Sequence, residues 1–102
     1  QAYLKALQLS SNNPAVVNNM ALSAASAGRL ENAISILEKS DVSVRNIPKI
    51  RQNLALLYGV RGDLDKAEAL SRMDLEDKAV RNNMKIYSSL GGNIPVDVLK
   101  KP

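Results

Sequence analysis

Seven residues of this chain recur at a single spacing. Pro14 and Pro48, Asn19 and Asn53, Ala21 and Ala55, Leu22 and Leu56, Gly28 and Gly62, Leu30 and Leu64, and Ala33 and Ala67 each lie 34 positions apart. Glu31 and Asp65 keep acidic character at the same offset. An internal repeat of that length confines the chain to architectures in which one small helical or hairpin unit stacks on the next.

The repeated residues predict what the unit is. Pro14 and Pro48 suit the first turn of a helix, where a missing N–H costs little, and Asn13 stands where a capping side chain belongs. Apolar residues then follow at three- and four-residue spacing: Val17, Met20, Ala21 and Ala24 in the first unit, Ile50, Leu54, Leu57 and Tyr58 in the second. Gly28 and Gly62 come next, where a left-handed residue can end a helix and turn the chain. The segments after them, "RLENA" and "DLDKA", place acidic residues in the first turn of a second helix. Ala21 with Ala33, and Ala55 with Ala67, fall where the two antiparallel helices of a unit come closest. Any one of these could be an ordinary helix-favouring alanine; four in register favour close packing, which a larger side chain would disturb by about 1–3 kcal/mol.

The pattern predicts helices over 1–10, 14–27, 30–40, 47–61, 64–73 and 76–90, with a polar loop, "DVSVRN", over 41–46. "AYLKALQLSSNNP" reads as the back half of a preceding unit. Beyond the second unit, Asn82-Asn83-Met84 repeats Asn18-Asn19-Met20, but Asn83 follows Asn53 by 30 residues instead of 34. The domain thus divides into a partial unit 1–13, full units 14–47 and 48–75, and a final helix 76–90. Residues 91–102 open on Gly91-Gly92, contain Pro95, have no helical period and are expected to be a flexible or extended tail.

Composition removes several classes of function. Among 102 residues there is no Cys and no His, which excludes thiol nucleophiles, disulfides, zinc fingers and imidazole catalysis. Neither a paired-acid nor a Gly-rich phosphate motif is present, so no enzyme, cofactor or metal is expected. The net charge of +4 is spread along the chain, densest at "RNIPKIR" with Arg45, Lys49 and Arg51. With three Tyr, no Phe and no Trp there are few platforms for stacking bases, and the charge reads as a solvated surface instead of a nucleic-acid face. No apolar run approaches the roughly 20 residues of a membrane span, so no direct membrane insertion by this segment is expected. Gln1 is not an initiator, and the opening reads as a helix under way, so the chain is expected to be a piece of a longer or processed protein.

Across residues 1–90 the register resembles the tetratricopeptide repeat superfamily. The resemblance implies an all-α fold, a right-handed α-solenoid of antiparallel helix pairs with about six helices and an irregular C-terminal tail. It also implies partner binding on a concave face lined by the first helix of each unit. In this register those positions are Asn18, Asn19, Leu22 and Ser26, then Lys49, Gln52, Asn53, Leu56 and Val60, then Asn82, Asn83 and Ile86. Asn19, Asn53 and Asn83 form a row. An asparagine amide both donates and accepts, so the row can pair with the backbone of an extended peptide, or it can bond neighbouring helices to each other. Lys49 is the one well-placed cation, and Leu22 and Leu56 stand where a carboxylate clamp needs polarity, so the groove suits an apolar-containing stretch or a partner helix.

A narrower likeness lies in "IRQNLALLYGVRGDLDKAEALSRMDLEDKAVRNNMKIYSSL". Through "RQNLAL", "AEALSRMDL" and the shortened step to "NNMKIYSSL", it resembles the end of TadD-type assembly proteins of the tight-adherence (Tad/Flp) pilus. That similarity implies a periplasm-facing lipoprotein held to the outer membrane by an upstream lipid anchor. It would act as a non-enzymatic protein–protein interaction scaffold for assembly of the pilus secretion machine, near the outer-membrane secretin. Two alternatives stay open: a structural module that self-associates, as a homodimer through its end helices, and a generic cytoplasmic co-chaperone or adaptor.

Overall fold

The computed structural model describes residues 13–90, and within them every element is an α-helix. In chain order these are α1 (Pro14–Ser26), α2 (Leu30–Glu38), α3 (Val42–Arg45), α4 (Pro48–Arg61), α5 (Leu64–Arg72) and α6 (Asp77–Leu90). The helix expected over 1–10 and the tail expected over 91–102 lie outside the described residues.

α1 and α2 form one helical hairpin and α4 and α5 a second, each pair packed along its length. α2 packs on α4, while α6 packs on both α4 and α5. The local signals operate as the sequence implies. Asn13 Oδ1 accepts a hydrogen bond from the Val16 N–H at 3.3 Å, and Pro14 and Pro48 occupy the first helical turns. Gly28 and Gly62 have φ of 79° and 102°, left-handed conformations that a Cβ disfavours. Around them the backbone closes the same ring twice. Arg29 N–H reaches Ala24 O and Gly28 N–H reaches Ala25 O; 34 residues on, Asp63 N–H reaches Tyr58 O and Gly62 N–H reaches Gly59 O, all at 2.9–3.2 Å. These are the paired bonds of a Schellman turn, which satisfy the last carbonyls of the helix.

The core runs through both hairpins. Ala21, Ala33, Ala55 and Ala67 are all 0–1% exposed, and Ile34, Leu37, Leu57 and Val17 are fully enclosed around them. Burying each larger side chain contributes about 1.5–3 kcal/mol. At the α4–α6 seam the chain needs no side chain at all. A Cβ on Gly59 would stand 2.5 Å from Cγ and 2.8 Å from Cβ of Tyr87, so the tyrosine ring rests directly on the α4 backbone.

The loop expected over 41–46 is a helical turn, α3. Asp41 starts it by accepting from the N–H and hydroxyl of Ser43, both at 3.0 Å, which also holds the Asp41 carboxyl below its usual value. Val44 is then wholly buried. The polar composition concealed an Asx-type cap followed by one apolar anchor, enough to drive a single turn against α4.

Candidate functional site

The twelve residues assigned to a concave face divide into three groups. Asn19, Ser26, Lys49, Asn82 and Ile86 are exposed, and Asn18, Leu22, Gln52, Asn53 and Asn83 are half-buried. Leu56 and Val60, each 5% exposed, belong to the core cluster and cannot line an open groove as expected. Gln52 is turned to its own hairpin, donating to the Leu70 carbonyl at 3.3 Å and the Asp74 carboxylate at 2.7 Å.

The asparagine row also divides. Asn53 Nδ2 donates to Asn18 Oδ1 at 2.8 Å, a half-buried bond that ties α4 to α1. Of the two roles open to Asn53, the structural one is realised, with Asn18 as its partner in place of its repeat equivalent. Asn19 remains exposed, and Asn83 has no side-chain hydrogen bond among the described residues. The positions that α1, α4 and α6 leave uncommitted are therefore the exposed Asn19, Ser26, Lys49, Asn82 and Ile86, the last 47% exposed, with Leu22 half-buried.

A second surface was not anticipated. On a different stripe of α4, Arg51, Leu54 and Tyr58 face a cleft of about 430 Å³ that Arg45, Lys66 and Met73 also line. Its polar groups are organised from the backbone up. Arg51 grips Asp74 with Nε (2.8 Å) and Nη2 (2.5 Å) and uses Nη1 to bond the Asn46 carbonyl at 3.0 Å. The two side chains are only 13% and 14% exposed. The bond to Arg51 is the main reason the Asp74 carboxyl stays below its ordinary value. Tyr58 donates its hydroxyl to Glu38, and burial, then that bond, pushes the phenol up to about 12. Arg61 and Lys66 lie over the Tyr58 ring at 5.4 and 5.3 Å from its centroid, within cation–π range.

Arg45 is the exception to this pairing. Among the described residues its side chain makes no hydrogen bond and no ion pair, and its Nε–H is buried without an acceptor. The cluster Arg45, Lys49 and Arg51, read as one solvated surface, separates into an exposed lysine, a clasped arginine and an unpaired one. Only the turn at α3 brings Arg45 to the cleft, and the Asp41–Ser43 cap is the signal that could have revealed it.

Among the described residues no group of acids could hold a metal ion, and no helix is long and apolar enough to cross a membrane. Compared with protein-family models, curated proteins and solved structures, the chain matches none of them.

Proposed function

We propose that this chain is a helical-repeat scaffold that binds another protein and carries out no chemistry of its own. In this reading its hairpins and α6 are successive units of a right-handed α-solenoid of the tetratricopeptide kind. The observation that carries the reading is the turn built twice at one offset. Gly28 and Gly62 close the same pair of backbone hydrogen bonds, and alanines fill the same helix crossings on either side. Such stacking leaves one row of first helices facing outward, and Asn19, Asn82 and Ile86 are among the exposed side chains on that row, with Ser26 and Lys49, that the described fold does not engage.

The likeness of residues 50–90 to TadD-type pilus assembly proteins supports a partner in the cell envelope, at the outer-membrane secretin of a tight-adherence pilus. The test is affinity capture from solubilised envelope with the wild type beside Asn19→Ala/Asn82→Ala/Ile86→Ser. A secretin-complex protein held by the wild type and lost by the variant supports both the scaffold and its setting. Equal retention moves the contact off this row. A dimer that forms through the end helices and captures nothing would replace the reading with a self-associating module.

A further inference from the structure

The cleft between the two hairpins has a composition that selects an occupant. Its floor is apolar: Leu54, Leu70 and the thioether of Met73, whose residue is 59% exposed. Of its charged groups, Arg51 is already clasped by Asp74, while the Glu38 carboxylate receives only the neutral Tyr58 hydroxyl and keeps its negative charge. Against that one anion stand two cations without an ion pair among the described residues, Arg45 at the end of α3 and Lys66 on α5, the latter engaged only with the Tyr58 ring, so the excess charge of the cleft is positive. The Arg45 Nε–H is enclosed without an acceptor, but its Nη groups are not enclosed, and a ligand carboxylate meeting them would gain a charge-assisted bond.

We propose that this cleft binds a short acidic segment of a partner protein, with a leucine-like side chain on the Leu54–Leu70–Met73 floor and a side-chain carboxylate between Arg45 and Lys66. The volume of about 430 Å³ holds two or three side chains and not a folded domain, which suits a linear segment. Arg45 supplies a planar fork for the carboxylate, while Lys66 supplies a mobile point charge. The site shares no residue with the row of Asn19, Asn82 and Ile86, so it is a second docking point, independent of the first.

The test is a heteronuclear NMR titration of the whole chain with a hexapeptide that alternates glutamate and leucine, beside a twin carrying glutamine for glutamate. Saturable shifts are expected at Arg45, Lys66, Leu70 and Met73. Affinity should fall about tenfold for the glutamine twin and for Arg45→Gln/Lys66→Gln, the scale of one charge-assisted bond. Met73→Asp should abolish binding, and the Asn19→Ala/Asn82→Ala/Ile86→Ser variant should bind as the wild type does. Equal affinity for both peptides, shifts centred on α6, or no saturable shift in the millimolar range would each overturn the proposal. Concentration-dependent shifts at the cleft without peptide would instead make a second copy of this chain its occupant.

Discussion

Gly59 offers a direct test of how α6 is held, because two effects of opposite sign meet there. Placing alanine at Gly59, in the last turn of α4, replaces a glycine in helical backbone, which by itself stabilises by up to about 1 kcal/mol. The new methyl, however, would stand 2.5 Å from Cγ and 2.8 Å from Cβ of Tyr87, where carbon atoms normally rest 3.5–4.0 Å apart. The shortfall is about 1 Å, and it includes the Tyr87 Cβ, which no rotation of the ring can move aside. α6 must therefore shift as a body, at the upper end of the 1–3 kcal/mol that overpacking costs. Gly59→Ala is expected to lose about 2 kcal/mol net, read as a lower urea midpoint by circular dichroism. The sharper prediction is a reversal of sign. With Tyr87→Gly already in place both the ring and the Cβ are gone, and adding Gly59→Ala should then stabilise by about 1 kcal/mol. The packing argument fails if Gly59→Ala is neutral in the wild type, or if its cost is the same in both backgrounds.

Three further outcomes concern buried or paired polar groups. The Ser71 hydroxyl is wholly enclosed near Tyr87 without a hydrogen bond of good geometry among the described residues, so Ser71→Ala should raise stability by about 1 kcal/mol in urea denaturation. In a spectrophotometric titration, the phenolate step that disappears in Tyr58→Phe should lie near pH 12; Glu38→Gln should bring it down but leave it above 10, because burial is the larger cause. Since that phenol is raised on folding, the stability it contributes is complete below pH 10 and lost as pH rises through about 12. Asp74 behaves oppositely: its carboxyl is depressed, chiefly by Arg51, so its contribution is present above the ordinary value of 3.8 and disappears as pH falls below it. Asp74→Asn should flatten the acid limb of the urea midpoint plotted against pH.

How far the sequence could be read depended on whether a residue's role is local. Pro14, Asn13, Gly28 and Gly62 act on their own turn of backbone, so their identities sufficed to position the helix ends to within one or two residues. The alanine crossings were legible because the repeat gives two copies of each. Leu56 and Val60 were misassigned to an open face because periodicity reports which residues share a side of a helix, not what covers that side. Asn53 could not be assigned between a partner and Asn18 because an amide suits either, and only the approach of α1 to α4 decides. α3 was hidden for a related reason: one capped turn with a single buried valine is too short to generate a period.

The departures from the repeat are informative because the shared geometry is held constant. Val17, wholly buried in the first hairpin, corresponds to Arg51 in the second, and Ser40 corresponds to Asp74. In the first hairpin those positions belong to the interior, with the Ser40 hydroxyl returned to the Leu37 carbonyl at 2.6 Å. In the second they form the bidentate ion pair at the edge of the cleft. Likewise Ala25 becomes Gly59 and Leu37 becomes Ser71, the two positions where Tyr87 comes in from α6. Each change therefore follows a change in neighbour: an aromatic ring replaces smaller contacts at the α6 seam, and charge replaces an apolar contact where the hairpin borders an opening. By that logic Arg45 is the outlier. It is a partly covered cation at the same opening, felt by Asp41 across α3 but clasped by no described acid. If the cleft is always empty, replacing Arg45 with leucine should leave stability equal or higher, because an unpaired buried donor is removed. A loss of stability for Arg45→Leu in the isolated chain, measured by urea denaturation, would show that the guanidinium already has an internal role, and the case for a ligand carboxylate beside it would end there.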